Sequence, residues 1–172
     1  MVSMDYIYDD GGRKESGFQG RAGDCVARAV AIAAGLPYAE VYQELSYGMG
    51  AQRATKGRKS KASARAGVNT GRKWFKDYMR GLGFSWTPTM GIGTGCTVHL
   101  ADGELPSGRL VVAVSKHYTA VIDGVIHDTH DPQRDGEIVY GHPPVLDADG
   151  QLRNPVISVG GGRCVYGYWS QA

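Results

Sequence analysis

The sequence predicts an α+β domain in which N-terminal helices pack on a C-terminal antiparallel sheet. Two observations carry this. Val26, Ala29, Val30 and Ala33 fall at i, i+3, i+4 and i+7, one apolar helix face in the first half. In the second half, Asp123-Gly124 separates two short apolar runs, the signature of a two-residue type I′ hairpin. Helices first and hairpin-linked strands after is the α+β order. At 172 residues the chain is one domain's worth of sequence. Its 26 glycines, about twice the usual share, predict many turns and short strands.

Residues 1–23 read as an extended, Gly-rich lead-in. The first helix starts beside Asp24, a good N-cap, and stops at Gly35, a good residue for the position after a helix. A second helix begins at Pro37, favoured in a first turn, and runs to about Leu45 with Tyr38, Val41, Tyr42 and Leu45 inward. Residues 46–68 have no apolar period and are rich in Gly, Ser, Ala, Lys and Arg, which predicts a flexible, solvated loop. A third helix is expected from about Thr70 to Arg80, packing Trp74, Phe75, Tyr78 and Met79 and ending at Gly81 and Gly83. Strands follow at Leu110–Val114, Tyr118–Ile122, Val125–Thr129 and Cys164–Trp169.

No run of 18 apolar residues is present, and the N-terminus lacks the basic-then-apolar pattern of a signal peptide. Cys25, Cys96 and Cys164 form no C-x-x-C pair, so neither a disulfide framework nor a zinc knuckle is expected, and Cys96 and Cys164 read as buried. A cytoplasmic setting fits these features. The net charge of +2 conceals an asymmetry. Between Ser46 and Lys76 lie nine basic residues and no acid, which leaves ten basic against seventeen acidic residues in the rest. The run from Arg53 to Arg65 could neutralise nucleic-acid phosphates or meet an acidic partner, although no aromatic interleaves it to stack bases.

Cys25 opens the first helix, where unpaired N–H groups and the positive dipole end favour a thiolate. Six residues upstream, across a Gly-bearing turn, Gln19 can offer its amide beside the Cys25 N–H to a developing oxyanion. If Asp123-Gly124 is a two-residue turn, Ile122 pairs with Val125, His117 faces His130 and Thr119 faces Asp128. Side chains alternate faces, so Asp128 becomes the diagonal neighbour of His117 while Asp131 points away. A carboxylate there can hold the imidazole's tautomer and support its cation. His127, Asp128 and His130 could alternatively ligate zinc or manganese, although His127 and His130 fall on opposite faces of a continuous strand. Gly91-Ile92-Gly93-Thr94-Gly95 follows no clear strand and carries no Lys, so it reads as a turn rather than a phosphate loop.

Gln19, Gly20, Gly23 and Cys25, followed later by His117 and an acid on the next strand, resemble the papain-like cysteine peptidases. That family includes compact bacterial members that process peptides at double-glycine sites. The aromatic residue that papain carries after its Cys is replaced by Val26. The whole chain also resembles a group of small phage and prophage proteins, which implies a host cytoplasm and leaves virion association open. The resemblance implies a papain-like fold and a thiol hydrolase acting on a peptide, isopeptide or related amide. Cys25 would be nucleophile, His117 base, Asp128 its orienter and Gln19 an oxyanion donor, with no cofactor. The contrasting expectation is a non-catalytic, phage-related binding protein that docks through its basic loop.

Overall fold

The computed structural model describes residues 2–52, 63–133, 137–140, 145–146, 150, 152–153, 156–159 and 162–171. Its main sheet has six strands in the order β1-β5-β4-β3-β10-β2. These are β1 (Asp5–Tyr8), β2 (Phe84–Pro88), β3 (Arg109–Val114), β4 (His117–Ile122), β5 (Val125–Asp128) and β10 (Val165–Gln171). Two small antiparallel pairs lie between β5 and β10 in sequence: β6 (Glu137–Tyr140) with β9 (Val156–Val159), and β7 (Val145–Leu146) with β8 (Leu152–Arg153). The helices are α1 (Cys25–Ala34), α2 (Tyr38–Ala51) and α3 (Lys73–Gly81), with a short 3-10 turn at Ala64–Ala66.

The α+β class therefore stands, with corrections. The sheet is mixed rather than antiparallel, because β1 pairs with β5 in parallel from Asp5↔Val125 to Tyr8↔Asp128. This strand lies inside the segment expected to be a lead-in. Its mostly exposed residues give no alternation to detect. The second helix runs two turns past Leu45, to Ala51, and its inward row is Tyr38, Val41, Leu45 and Met49. The supposed loop 46–68 is thus partly helix, and Ala64 within it is fully buried. Arg53, Lys56, Arg58, Lys59 and Lys61 lie outside the described residues. Arg65 is exposed and holds the turn before the first helix: its guanidinium donates to the Arg21 carbonyl at 3.3 Å, and its carbonyl accepts from Gly23 N–H at 2.8 Å.

Helix α1 is buried on every side, from Val26 through Ala33, rather than along one face. It lies against β3, β4 and β5 and also against α2, so it has no solvent face to keep polar. Its C-terminus closes as expected, with Gly35 N–H on the Ile32 carbonyl and Leu36 N–H on the Ala31 carbonyl. Arg109 of β3 adds two donors to that end, at 2.7 Å to the Ala33 carbonyl and 2.8 Å to the Ile32 carbonyl. Phe75 and Met79 of α3, with Phe84, Val111, Ala120 and Trp169, complete this core. The other sheet face buries Leu110, Val112, Val114, Val121 and Ile126 under Met4 and Leu100.

Cys96 and Cys164 form a disulfide, which corrects the expectation of two buried, unpaired cysteines. His99 bridges Cys164, and Val165 N–H donates to the Val98 carbonyl at 2.9 Å, so the two segments run antiparallel and bring the cysteines together. With Cys96 and Cys164 paired, the cysteines no longer support the expectation of a cytoplasmic setting. No described helix is long and apolar enough to cross a membrane.

Strand β10 passes close to β2 at Gly167. A Cβ placed there would lie 2.2 Å from the Trp86 ring and 2.8 Å from the Thr87 carbonyl, and the carbonyl is backbone. Gly167→Ala should destabilise the fold by about 1–3 kcal/mol, read as a lower urea midpoint. An unchanged midpoint would mean that β2 does not pack this closely on β10.

Candidate active site

Strands β4 and β5 meet through the expected turn. Asp123 and Gly124 have φ values of 47° and 83°, and the register runs Ile122↔Val125, Val121↔Ile126, Ala120↔His127. His117 opens β4 and Asp128 closes β5, so both stand at one end of the hairpin. His117 Nε2 lies 2.6 Å from Asp128 Oδ2, a short charge-assisted contact. The other carboxylate oxygen accepts the Thr129 N–H at 2.7 Å. Cys25 lines the same cleft as His117 and Tyr118, and Cys25 and His117 each favour the charged form of the other. With Nε2 taken by Asp128, Nδ1 is the nitrogen left for the thiol.

Parity places His117 with Val114, Val121 and Ile126, on the face away from the helices. It meets Cys25 because it is the first residue of its strand, at the end of the sheet where α1 begins. The turn before it, Ser115-Lys116, holds Lys116 at a φ of 58°, an uncommon conformation for a long side chain. Arg163 fastens this turn by donating to the Ser115 carbonyl, and its other terminal nitrogen donates to the Pro132 carbonyl at 3.0 Å.

Electrostatics follow from these contacts. Burial alone would push the Cys25 thiol up, but the bonds from His117 and Tyr118 and the charges of His117 and Arg28 hold it below the ordinary thiol value. Burial would likewise depress His117, yet its bonds to Asp128 and Cys25 raise it to about 9. Burial would push the Asp128 carboxyl up, but the bond and charge of His117 together with the Thr129 N–H hold it below the usual carboxylate value. Both shifts favour the thiolate–imidazolium form of the pair.

The pair opens on a cleft of about 640 Å³. Val26, Val68, Trp86, Val114 and Tyr166 give it apolar walls, with Arg28, Lys116 and His130 as polar features. Of the four site residues expected from sequence, the structure gathers Cys25, His117 and Asp128. Gln19 is exposed, its carbonyl accepts from Arg13 at 3.2 Å, and it is not among the residues lining the cleft. Asp131 lies beyond the end of β5, where strand alternation does not apply, and accepts from Gln133.

His130 stacks near His117, with ring centroids 4.9 Å apart. Donor atoms of His117, Asp128 and His130 lie within 4.8 Å of one another, so these three could hold a divalent ion if the His117–Asp128 contact opened. His127 takes no part in it, since its Nδ1 faces Asp9 at 3.1 Å.

Two participants escaped the sequence reading. Asp24 looked like a helix cap, but its side chain caps nothing. Its carboxylate instead receives Arg13, Arg28 and the Tyr38 hydroxyl. Arg28 interrupts an otherwise apolar helix, and that interruption was the available signal. Comparison with protein-family models, curated proteins and solved structures finds no match to this chain.

Iodoacetamide should label Cys25 at a pH well below the ordinary thiol range, while Cys96 and Cys164 stay unlabelled until the disulfide is reduced. His117→Ala should move the Cys25 labelling midpoint upward by at least one pH unit. A wild-type midpoint at the ordinary thiol value would refute the thiolate–imidazolium pair.

Proposed function

We propose that this protein is a cysteine-dependent hydrolase with a papain-like fold, acting on a peptide, isopeptide or related amide. The supporting observation is that Cys25 and His117 line one cleft and each favours the charged form of the other, with Asp128 2.6 Å from His117 Nε2. Nucleophile, base and orienter need this order of contacts.

In the first step the Cys25 thiolate attacks the scissile carbonyl carbon, forming a C–S bond and an oxyanion. The Cys25 N–H at the start of α1 is one donor to that oxygen. The Gln19 amide is the second that the sequence offers, provided the turn at Gly20 brings it inward on substrate binding. The imidazolium then gives its Nδ1 proton to the leaving amine as the C–N bond breaks, leaving a thioester. Water attacks the thioester, gives a proton to Nδ1, and the thiolate departs. Asp128 accepts the Nε2–H throughout and stabilises the cation. The apolar walls of the cleft favour an apolar side chain beside the scissile carbonyl.

The pH dependence has a definite sign. The rate should rise as the thiol ionises, at a pH below the ordinary thiol value. It should fall as His117 loses its proton through about 9, because the leaving amine then lacks its acid. Labelling by iodoacetamide needs no acid and should not fall on that alkaline side.

On fluorogenic amides with apolar side chains, Cys25→Ala should reduce turnover to background. Asp128→Asn should keep the fold and lower kcat roughly tenfold or more, since an amide orients the ring but supports its charge less. Asp131→Asn should have little effect. Chelation separates the metal reading of the same residues: EDTA should leave turnover unchanged, and loss of turnover restored by zinc would replace the thiol mechanism with a metal-dependent one.

A further inference from the structure

One helical turn after the nucleophile, α1 carries a buried cation. Arg28 is 9% exposed, among Val26, Ala27, Ala29 and Val30. A guanidinium in such a place is unfavourable unless its charge is met and its N–H groups are bonded. One terminal nitrogen donates to Asp24 Oδ1, the other forms an ion pair with Asp128 Oδ1 at 3.9 Å, and the buried Nε has no hydrogen-bond partner. Asp24, the residue just before Cys25, is 1% exposed. It also receives Arg13 Nε at 2.8 Å and the Tyr38 hydroxyl at 2.5 Å, so it is anchored from three sides. Arg28 therefore links a fixed point at the start of α1 to the carboxylate that orients His117, and it lines the cleft beside Cys25.

We propose that Arg28 is a positioning residue of this site: held by Asp24 and facing Asp128, it sets the spacing between the start of α1 and the β4–β5 hairpin and places its positive charge one helical turn from Cys25. The proposal rests on the thiol-hydrolase reading for its turnover readout, but the thiolate effect is measurable without any substrate.

A purely structural ion pair is the competing account, and two features speak against it. An ion pair kept for stability alone has no need of a catalytic carboxylate as its second partner, since apolar replacements of such pairs are often as stable. In addition, a planar guanidinium can meet two carboxylates on different elements at once, which a lysine ammonium on one flexible stem does poorly. The charged and titratable groups around the thiol are His117 and Tyr118 from β4 and Arg28 from α1, with Lys116 and His130 lining the same cleft. Arg28 itself faces Asp24 and Asp128. Asp128 faces His117, Arg28 and, at 4.0 Å, His130.

The test compares wild type with Arg28→Gln and Arg28→Lys. Thiolate formation is followed by ultraviolet absorbance and by iodoacetamide rate against pH, and folding by circular dichroism. In Arg28→Gln the Cys25 midpoint should rise by about one pH unit, roughly a tenfold loss of thiolate on the acid limb. In Arg28→Lys the midpoint should stay near that of wild type, while kcat falls about tenfold at unchanged KM, because charge returns without the bridge. A folded Arg28→Gln with an unmoved midpoint overturns the charge role, and full kcat in Arg28→Lys overturns the bridge. Should Arg28→Gln fail to fold, Arg28→Lys decides both parts: its midpoint tests the charge and its kcat the bridge. A wild-type thiol with an ordinary midpoint defeats this proposal and the thiolate pair together. A low wild-type midpoint with no turnover on any amide defeats the hydrolase reading alone, and the Arg28→Gln titration still decides the charge role.

Discussion

Asp123 and Gly124 both hold positive φ, and the two-residue turn they make leaves β4 and β5 a single register. The turn is itself tied to the neighbouring strand: Asp123 N–H donates to the Gly108 carbonyl at 2.9 Å, and Asp123 Oδ1 accepts the Gly108 N–H at 2.8 Å. Side chains on a strand alternate faces, so slipping β5 by one residue would send Asp128 to the opposite side from His117. It would also turn Ile126 out of the core that it shares with Val121 and Leu110. Burial of Ile126 and orientation of His117 are therefore enforced by the same register.

The position of Cys25 depends on a second constraint, the placement of α1. A helix buried all round cannot shift along the sheet without exposing Ala27, Val30 or Ala33, and both its ends are pinned. Arg109 satisfies carbonyls at its C-terminus, which also suits the negative end of the helix dipole. At the N-terminus the Asp24 carboxylate is held by Arg13, Arg28 and Tyr38 instead of capping the first turn. A side-chain cap would satisfy helix N–H groups. Its absence keeps the dipole end directed at Cys25, the position where a thiolate gains most from it.

The parts of this fold that follow local rules were legible in the sequence. The start and stop of α1, the hairpin turn, and the side of β5 on which Asp128 lies each depend on residues within about a dozen positions. What escaped depends on distant partners. Strand β1 pairs in parallel with a strand some 120 residues later, and its exposed side chains carry no pattern. The Cys96–Cys164 link spans a sequence separation of 68, and spacing alone does not specify such a pairing. Asp24 satisfied the rule for a helix cap, so its burial as a charge anchor was hidden behind a correct helix boundary. Gln19 matched a motif spacing, and spacing does not fix the direction of a side chain on a Gly-bearing turn.

The two constraints converge on a cluster whose charges balance. Arg13 and Arg28 offset Asp24 and Asp128, and moving a proton from Cys25 to His117 creates one anion and one cation without changing the total. Burial opposes both charged forms of the Cys–His pair, so the ionic form depends on the groups around it. Asp128 against Nε2 favours the imidazolium, while the Tyr118 main chain and Arg28 favour the thiolate. Removing either group tilts the proton back toward sulfur. The low dielectric that makes each charged member costly when alone also strengthens the contacts among Asp24, Arg28, Asp128 and His117.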